Sequence, residues 1–202
     1  MKQQSKQRVI LFWGGLAVVL GIPIFAAMTS PLLEWRQPAY IVAGLAGVLA
    51  LCLLLIQPLA IGRYLPNIDP LRSRAIHRLI GVLLVVMIVT HVGGLWMTSP
   101  PDVIDALLFR SPTPFSVWGV IAMWCVFATA LLAVLRKRFR IKHKTWQRLH
   151  TGLALVIIAG TVAHALLIEG TMETWSKVAL AILAIIATLK VIMDLRVWSS
   201  RK

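Results

Sequence analysis

The sequence is poor in acidic and charged residues. Its 202 residues include only 7 Asp and Glu, against 21 Lys and Arg, and 14% of the chain is charged while 59% is hydrophobic. About a quarter of the residues of a typical soluble domain are charged. The composition therefore argues against a soluble protein and places the chain in the membrane class.

Three further scarcities limit the chemistry that the chain can perform by itself. No G-x-G-x-x-G loop follows a strand-like run, so we expect any flavin or nicotinamide to be bound by a partner chain. The two cysteines, Cys52 and Cys125, fall inside apolar runs and are interpreted as packing residues, with no disulfide or metal role. Asp and Glu are absent from the middle of every apolar run, which argues against a proton-coupled transporter.

Long apolar runs occupy most of the chain. A bilayer core about 30 Å thick requires roughly 20 apolar residues per helix. Six segments reach this length: residues 9–28, 38–58, 76–97, 116–135, 149–168 and 176–197. We therefore predict an all-α integral membrane protein, a six-transmembrane-helix bundle over residues 9–197 with tails at 1–8 and 198–202. Between the third and fourth spans, the VIDALLF segment (103–109) predicts a short interfacial helix.

The basic residues are distributed unevenly between the predicted loops. One side of the membrane holds all but three of them, and the other side holds those three and five of the seven acids: Arg36, Arg110, Lys177, Glu34, Asp102, Asp105, Glu169 and Glu173. The positive-inside rule then predicts a multi-pass protein of a bacterial inner membrane with both termini cytoplasmic. The basic excess is explained by this topology and by anionic lipid, and no nucleic acid partner is expected.

The N-terminal segment allows an alternative interpretation. MKQQSKQR, followed by an apolar run and IFAAMTS, also resembles a cleavable signal peptide. Its apolar run is longer than the usual core of about 7–15 residues. We therefore favour a first transmembrane span, which keeps the number of spans even.

Four histidines bracket two apolar runs with the same spacing. HRLIGVLLVVMIVTH extends from His77 to His91, and HTGLALVIIAGTVAH extends from His150 to His164. Fourteen residues of α-helix rise about 21 Å and turn within about 40° of four full turns, so the two histidines of each helix share one face. The third and fifth spans run in the same direction. We therefore expect His77 opposite His150 on the cytoplasmic side and His91 opposite His164 on the outer side.

Facing neutral imidazoles are the axial ligands that a b-type haem requires. We predict two haems b, with iron ligated by the pairs His77/His150 and His91/His164. The neighbouring glycines are interpreted as space for a large ring: Gly93, Gly94, Gly152 and Gly160. Three arginines near the inner pair suit either haem propionates or membrane topology: Arg74, Arg78 and Arg148.

Other roles for the histidines remain open at this point. A histidine inside a span also serves as a hydrogen-bonding residue between helices, and imidazole suits a zinc or copper transport site. The transport site is less favoured because no carboxylate lies at the same depth. His143, between two lysines in RIKHKTW, is assigned to solvent or lipid headgroups and not to ligation.

These histidines, with the KTWQRLH segment that leads into the fifth span, resemble the ferric reductase-like transmembrane domain. This haem core is shared by ferric reductases, NADPH oxidases and the haem subunit of the periplasmic methionine sulfoxide reductase system. The resemblance covers roughly residues 38–197 and implies an inner haem on His77 and His150 and an outer haem on His91 and His164. The chain looks like the short bacterial members, although typical methionine sulfoxide reductase subunits lack the histidine that His77 provides here.

The resemblance implies a dihaem b-type cytochrome, a transmembrane oxidoreductase or electron-transfer subunit with no catalytic side chain. Its donor would be quinol or a cytoplasmic flavin reductase, and its acceptor ferric iron or a periplasmic redox protein. One alternative is a haem-binding electron-transfer subunit of a periplasmic oxidoreductase, such as a methionine sulfoxide reductase system. A second alternative is a haem-free transporter or scaffold.

Overall fold

The computed structural model describes residues 2–195 of the chain, all of whose regular elements are helical. Seven α-helices and one 3₁₀ turn follow in order: α1 (Lys2–Met28), the 3₁₀ turn (Pro31–Leu33), α2 (Pro38–Ile61), α3 (Pro70–Thr98), α4 (Pro100–Leu107), α5 (Ser116–Leu135), α6 (His143–Leu167) and α7 (Thr174–Asp194). Within this part of the chain, six helices are long and apolar enough to cross a membrane. The predicted all-α, six-span membrane fold is thereby confirmed. The predicted tail at 198–202 and the last two residues of the sixth span lie outside the described residues.

Three of the spanning helices begin well before their apolar runs, and the first of them is α1, which starts at Lys2, seven residues before the predicted start of its span. Helix α3 begins at Pro70 and α6 at His143, each about six residues before the predicted start of the span. Proline in the first turn costs no hydrogen bond, and the Asp69 carboxylate caps α3 by accepting from the backbone amides of Leu71 and Arg72, both at 3.0 Å. The Arg72 amide, together with that of Leu71, holds the pKa of the Asp69 carboxyl below its usual value. The polar first turns therefore lengthen α3 and α6 at the same end of the bundle.

The short helix predicted between the third and fourth spans is present. Helix α4 covers Pro100–Leu107, begins with two prolines and carries Asp102 in its first turn, where a carboxylate favours the helix dipole. Val103 is buried, and α4 packs against α3 and α5.

The bundle is built from two closely packed helix pairs. Helix α2 packs along α3 and α5 packs along α6, while α7 contacts both α2 and α6, and α1 lies against α2 and α7. Glycines allow the close approach in each pair: a Cβ added to Gly94 would lie 2.9 Å from the Ala39 carbonyl oxygen, and one added to Gly160 would lie 2.9 Å from that of Trp118. These two glycines serve helix packing, in contrast to the prediction that they leave space for a ring.

The buried core lies between α2, α6 and α7, where Leu51, Ile157 and Leu180 are almost fully enclosed. By contrast, the outward faces of the spanning helices expose large apolar side chains, such as Leu79 and Val82 of α3. A surface of this kind requires a lipid environment. The chain is therefore a multi-pass membrane protein.

Candidate functional site

The four predicted histidines lie in two facing pairs between α3 and α6. The ring centres of His77 and His150 are 6.1 Å apart with the ring planes at 65°, and those of His91 and His164 are 6.3 Å apart at 83°. Along each helix the two pairs are separated by about four turns, or about 21 Å. His143 is exposed at the start of α6 and belongs to neither pair.

In the His91–His164 pair, each ring is fixed by a backbone carbonyl of the neighbouring helix. His91 Nδ1 lies 2.7 Å from the Ala43 carbonyl oxygen of α2, and His164 Nδ1 lies 3.0 Å from the Phe115 carbonyl oxygen just before α5. A ring nitrogen that faces a carbonyl carries the hydrogen and donates it. The Nε2 lone pair is then free, which is the arrangement usual for a histidine that ligates a metal.

A glycine lies beside each of these carbonyls. Gly47 follows Ala43 by one helical turn, and a Cβ there would lie 3.1 Å from His91 Nδ1. Gly119 follows Phe115 by one turn, its amide donates to the Phe115 carbonyl oxygen at 3.2 Å, and a Cβ there would lie 2.6 Å from His164 Nδ1. Both glycines therefore give an imidazole access to the helix backbone. Sequence reasoning missed them, since nothing in an apolar run distinguishes a glycine that faces a histidine from one that faces lipid.

The His77–His150 pair is held in two different ways. His77 Nδ1 lies 3.2 Å from the Gln57 carbonyl oxygen of α2. His150 Nδ1 is buried and has no hydrogen-bond partner among the described residues. Instead, its ring stacks on that of Trp146, with the centres 5.1 Å apart and the planes at 23°, and the Arg136 guanidinium lies 4.4 Å over the indole. Trp146 thus positions His150, a role that the KTWQRLH segment alone does not reveal.

The three arginines considered as partners for haem propionates lie at the surface of the protein. Arg74, Arg78 and Arg148 are all exposed on the described surface. Their exposure is consistent with a topological or lipid-binding role.

A large cavity surrounds the His91–His164 pair. Its volume is about 830 Å³, within the range of about 300–1,000 Å³ usual for sites that hold small molecules and cofactors. Apolar side chains such as Leu84, Val126 and Ile157 line it toward the middle of the bundle. Most of its polar lining lies at one end of the bundle, where α6 ends and α7 begins. These polar residues include Asp102 of α4 and Lys177 of α7.

The donor set fits a metal whose other ligands are supplied by a macrocycle. Two imidazoles that bind one metal from opposite sides, through bonds of about 2 Å, have ring centres about 6 Å apart, close to the 6.1 and 6.3 Å seen here. Within the described residues, no group of three or more His, Cys, Asp or Glu side chains is placed to hold a bare metal ion. Paired histidines on opposite helices, with an apolar cavity around one pair, are therefore better suited to a flat macrocycle than to a transported ion.

Comparison with known protein families identifies the family of the chain. A family model described as the ferric reductase like transmembrane component matches residues 43–161, which include His77, His91 and His150. Neither the curated proteins nor the solved structures include a significant match.

Proposed function

The chain belongs to the ferric reductase-like transmembrane family, and on this premise we propose that it is a dihaem b-type cytochrome that carries electrons across the membrane. Family membership itself indicates transmembrane electron transfer. The observation that supports the dihaem assignment is the pair of facing imidazoles at each of two depths on helices that span the membrane. His77 and His150 would hold one haem, and His91 and His164 the other.

The protein side chains prepare these sites in two ways. Donation from Nδ1 to the carbonyls of Ala43 and Phe115 orients the rings of His91 and His164 and makes their Nε2 atoms better ligands, and His77 Nδ1 lies against Gln57. The apolar lining around the His91–His164 pair excludes water. When bound, haem supplies one-electron chemistry, and the protein provides ligands, spacing and a low-dielectric path.

The proposed direction of transfer follows from the charge distribution. If the strongly basic loops face the cytoplasm of a bacterial cell, both termini are cytoplasmic and the His77–His150 pair lies on the donor side. A quinol or a flavin reductase, with its flavin on a partner chain, would then deliver electrons inside. Ferric iron or a periplasmic redox protein would accept them outside.

Proteoliposomes test the proposed function directly. Vesicles that contain the purified protein and trap ferricyanide receive dithionite from outside, and loss of ferricyanide absorbance reports transmembrane electron transfer. We expect transfer in the unsubstituted protein and in His143→Ala, and at least about tenfold slower transfer in His91→Ala. The reason is that loss of a ligand removes one of the two haems through which the electrons pass. Transfer no faster than in protein-free vesicles would contradict the proposal.

A further inference from the structure

Lys177, in the first turn of α7, is a buried cation that lines the cavity around His91 and His164. Lys177 is only 7% exposed. An ammonium carries three N–H donors. One of them donates to the Ile168 carbonyl oxygen at 2.7 Å, and this is its one hydrogen bond within the described part of the chain.

Among the described residues, no carboxylate lies within 4.0 Å of this ammonium, and the exposed Glu169 carboxylate acts on it only from beyond that distance. Among the side chains that the structure describes, ion pairs within 4.0 Å join only Arg72 with Asp69 and Lys190 with Asp194. The acids of α4 that line the same cavity therefore lie beyond ion-pairing distance of Lys177. A buried charge without a counter-charge is costly.

Lys190, on the same helix, provides a contrast. Its ammonium lies 2.9 Å from Asp194 Oδ2, and both side chains are about half exposed. Two lysines of one helix thus differ in burial and in pairing, and only the buried one lines the cavity. The Lys177 ammonium is therefore able to bind an anion held in the cavity.

We infer that Lys177 binds an anionic oxygen of the molecule held between His91 and His164. The inference rests on the proposed function, under which that molecule is haem and the anionic oxygen is a propionate carboxylate. A phospholipid phosphate offers the same chemistry from a different source. The test below separates the two, because only the haem carboxylates can be removed by esterification of the cofactor.

The test follows haem release from the outer site alone. Full-length chains in a His150→Ala background are produced in haem-deficient cells and reconstituted with haem b or with its dimethyl ester, and haem loss to an excess of apomyoglobin is timed. We expect Lys177→Gln to lose haem b at least about tenfold faster than the unsubstituted background, since truncation of one partner of a buried charge pair has a large effect on dissociation. Lys190→Gln serves as the matched control and should leave the rate unchanged.

Two further measurements distinguish a charge contact from a packing role. Lys177→Met, which keeps the length of the side chain without its charge, should lose haem b as fast as Lys177→Gln, whereas Lys177→Arg should retain it. With the dimethyl ester, the unsubstituted background and Lys177→Gln should release the cofactor at equal rates, because the carboxylate is no longer charged.

The outcomes separate this inference from the proposed function. Equal loss of haem b from Lys177→Gln and the unsubstituted background overturns the inference. The inference is also overturned if Lys177→Gln still releases the dimethyl ester about tenfold faster than the unsubstituted background, because that result would indicate a packing role or a lipid phosphate. If neither the His150→Ala background nor the protein with all four histidines takes up haem, the proposed function is overturned, and this inference with it.

Discussion

The four imidazoles differ in how their second ring nitrogen is satisfied. His77, His91 and His164 face backbone carbonyls, whereas His150 is held by its stack on Trp146. Helical periodicity was sufficient to pair the histidines, because both members of each run lie on one helix. It was not sufficient to find Gly47, Gly119 or the carbonyl acceptors, because these lie on other helices and meet the rings only through tertiary packing.

A methyl group at Gly119 tests the close approach of His164 to α5. Replacement of glycine by alanine inside a helix ordinarily stabilises it by about 0.5–1 kcal/mol. Here the new Cβ would lie 2.6 Å from His164 Nδ1, so the ring must move. We expect Gly119→Ala to lose the outer haem, which would lower the dithionite-reduced absorbance per chain by about half.

Gly93→Ala is the matched control, because a Cβ at Gly93 meets no atom within 4 Å although it lies only two residues from His91. It should keep the full absorbance. Equal haem content in Gly119→Ala and Gly93→Ala would contradict the role assigned to Gly119.

Removal of the Trp146 ring tests whether stacking positions His150. Because His150 Nδ1 has no hydrogen-bond partner within the described residues, Trp146→Ala leaves the ring without orientation. We expect the inner haem to be lost or to give a broadened low-spin signal in electron paramagnetic resonance, while Trp146→Phe, which keeps an aromatic face, retains it. Identical spectra of the Ala variant and the unsubstituted protein would refute the positioning role.

The helices extend beyond what hydropathy predicts. Apolar runs located all six spans, but they could not show that α3 and α6 begin about six residues earlier, since those first turns are polar. Asp69 caps α3, whereas α6 has no side-chain cap and its Trp146 contacts Arg136 at the end of α5. The short helix α4 was predictable because its apolar residues recur at helical spacing between proline-rich turns. The contact of α7 with α2 was not, since it joins segments far apart in sequence.

The cap at the start of α3 gives a pH-dependent prediction. The pKa of Asp69 is lowered, so its contribution to stability is present above the unfolded pKa of about 4 and is lost as the pH falls through the lower folded value. Asp69→Asn keeps a capping side chain without titration, whereas Asp69→Ala removes the cap. We expect the melting temperature at pH 7 to fall for Asp69→Ala and to be nearly retained for Asp69→Asn.

The pH series provides the check on this cap. As the medium is acidified below about pH 4, the advantage of the unsubstituted protein over Asp69→Ala should shrink, while that of Asp69→Asn over Asp69→Ala should stay constant. An advantage of Asp69 that grows on acidification would contradict the cap as its source. Thermal unfolding in detergent, followed by circular dichroism, measures all three proteins.

The molecule as a whole has two ends with different charge. The loop between α5 and α6 carries most of the run RKRFRIKHK. By contrast, Arg110 is the one basic residue in the segment between α4 and α5. Under the positive-inside rule the first loop is cytoplasmic and the second is external. In a background without Cys52 and Cys125, a membrane-impermeant maleimide added to intact cells should therefore label Arg110→Cys and not Lys137→Cys.

Both test positions are exposed, so that burial does not limit labelling. Disruption of the cells should make Lys137→Cys reactive as well. Labelling of Lys137→Cys in intact cells, with Arg110→Cys protected, would reverse the orientation and exchange the proposed donor and acceptor sides. The pairing of His77 with His150 and of His91 with His164 would be unaffected.

We propose that each facing histidine pair holds one haem b. A pyridine haemochrome assay of the purified protein measures this most directly, with His91→Ala, His150→Ala and the control His143→Ala prepared in parallel. We expect two haems b per chain in the unsubstituted protein and in His143→Ala, and one in each of the other two variants, because the pairs lie about four helical turns apart and assemble separately. A colourless protein, or an unchanged haem count in His91→Ala and His150→Ala, would contradict it.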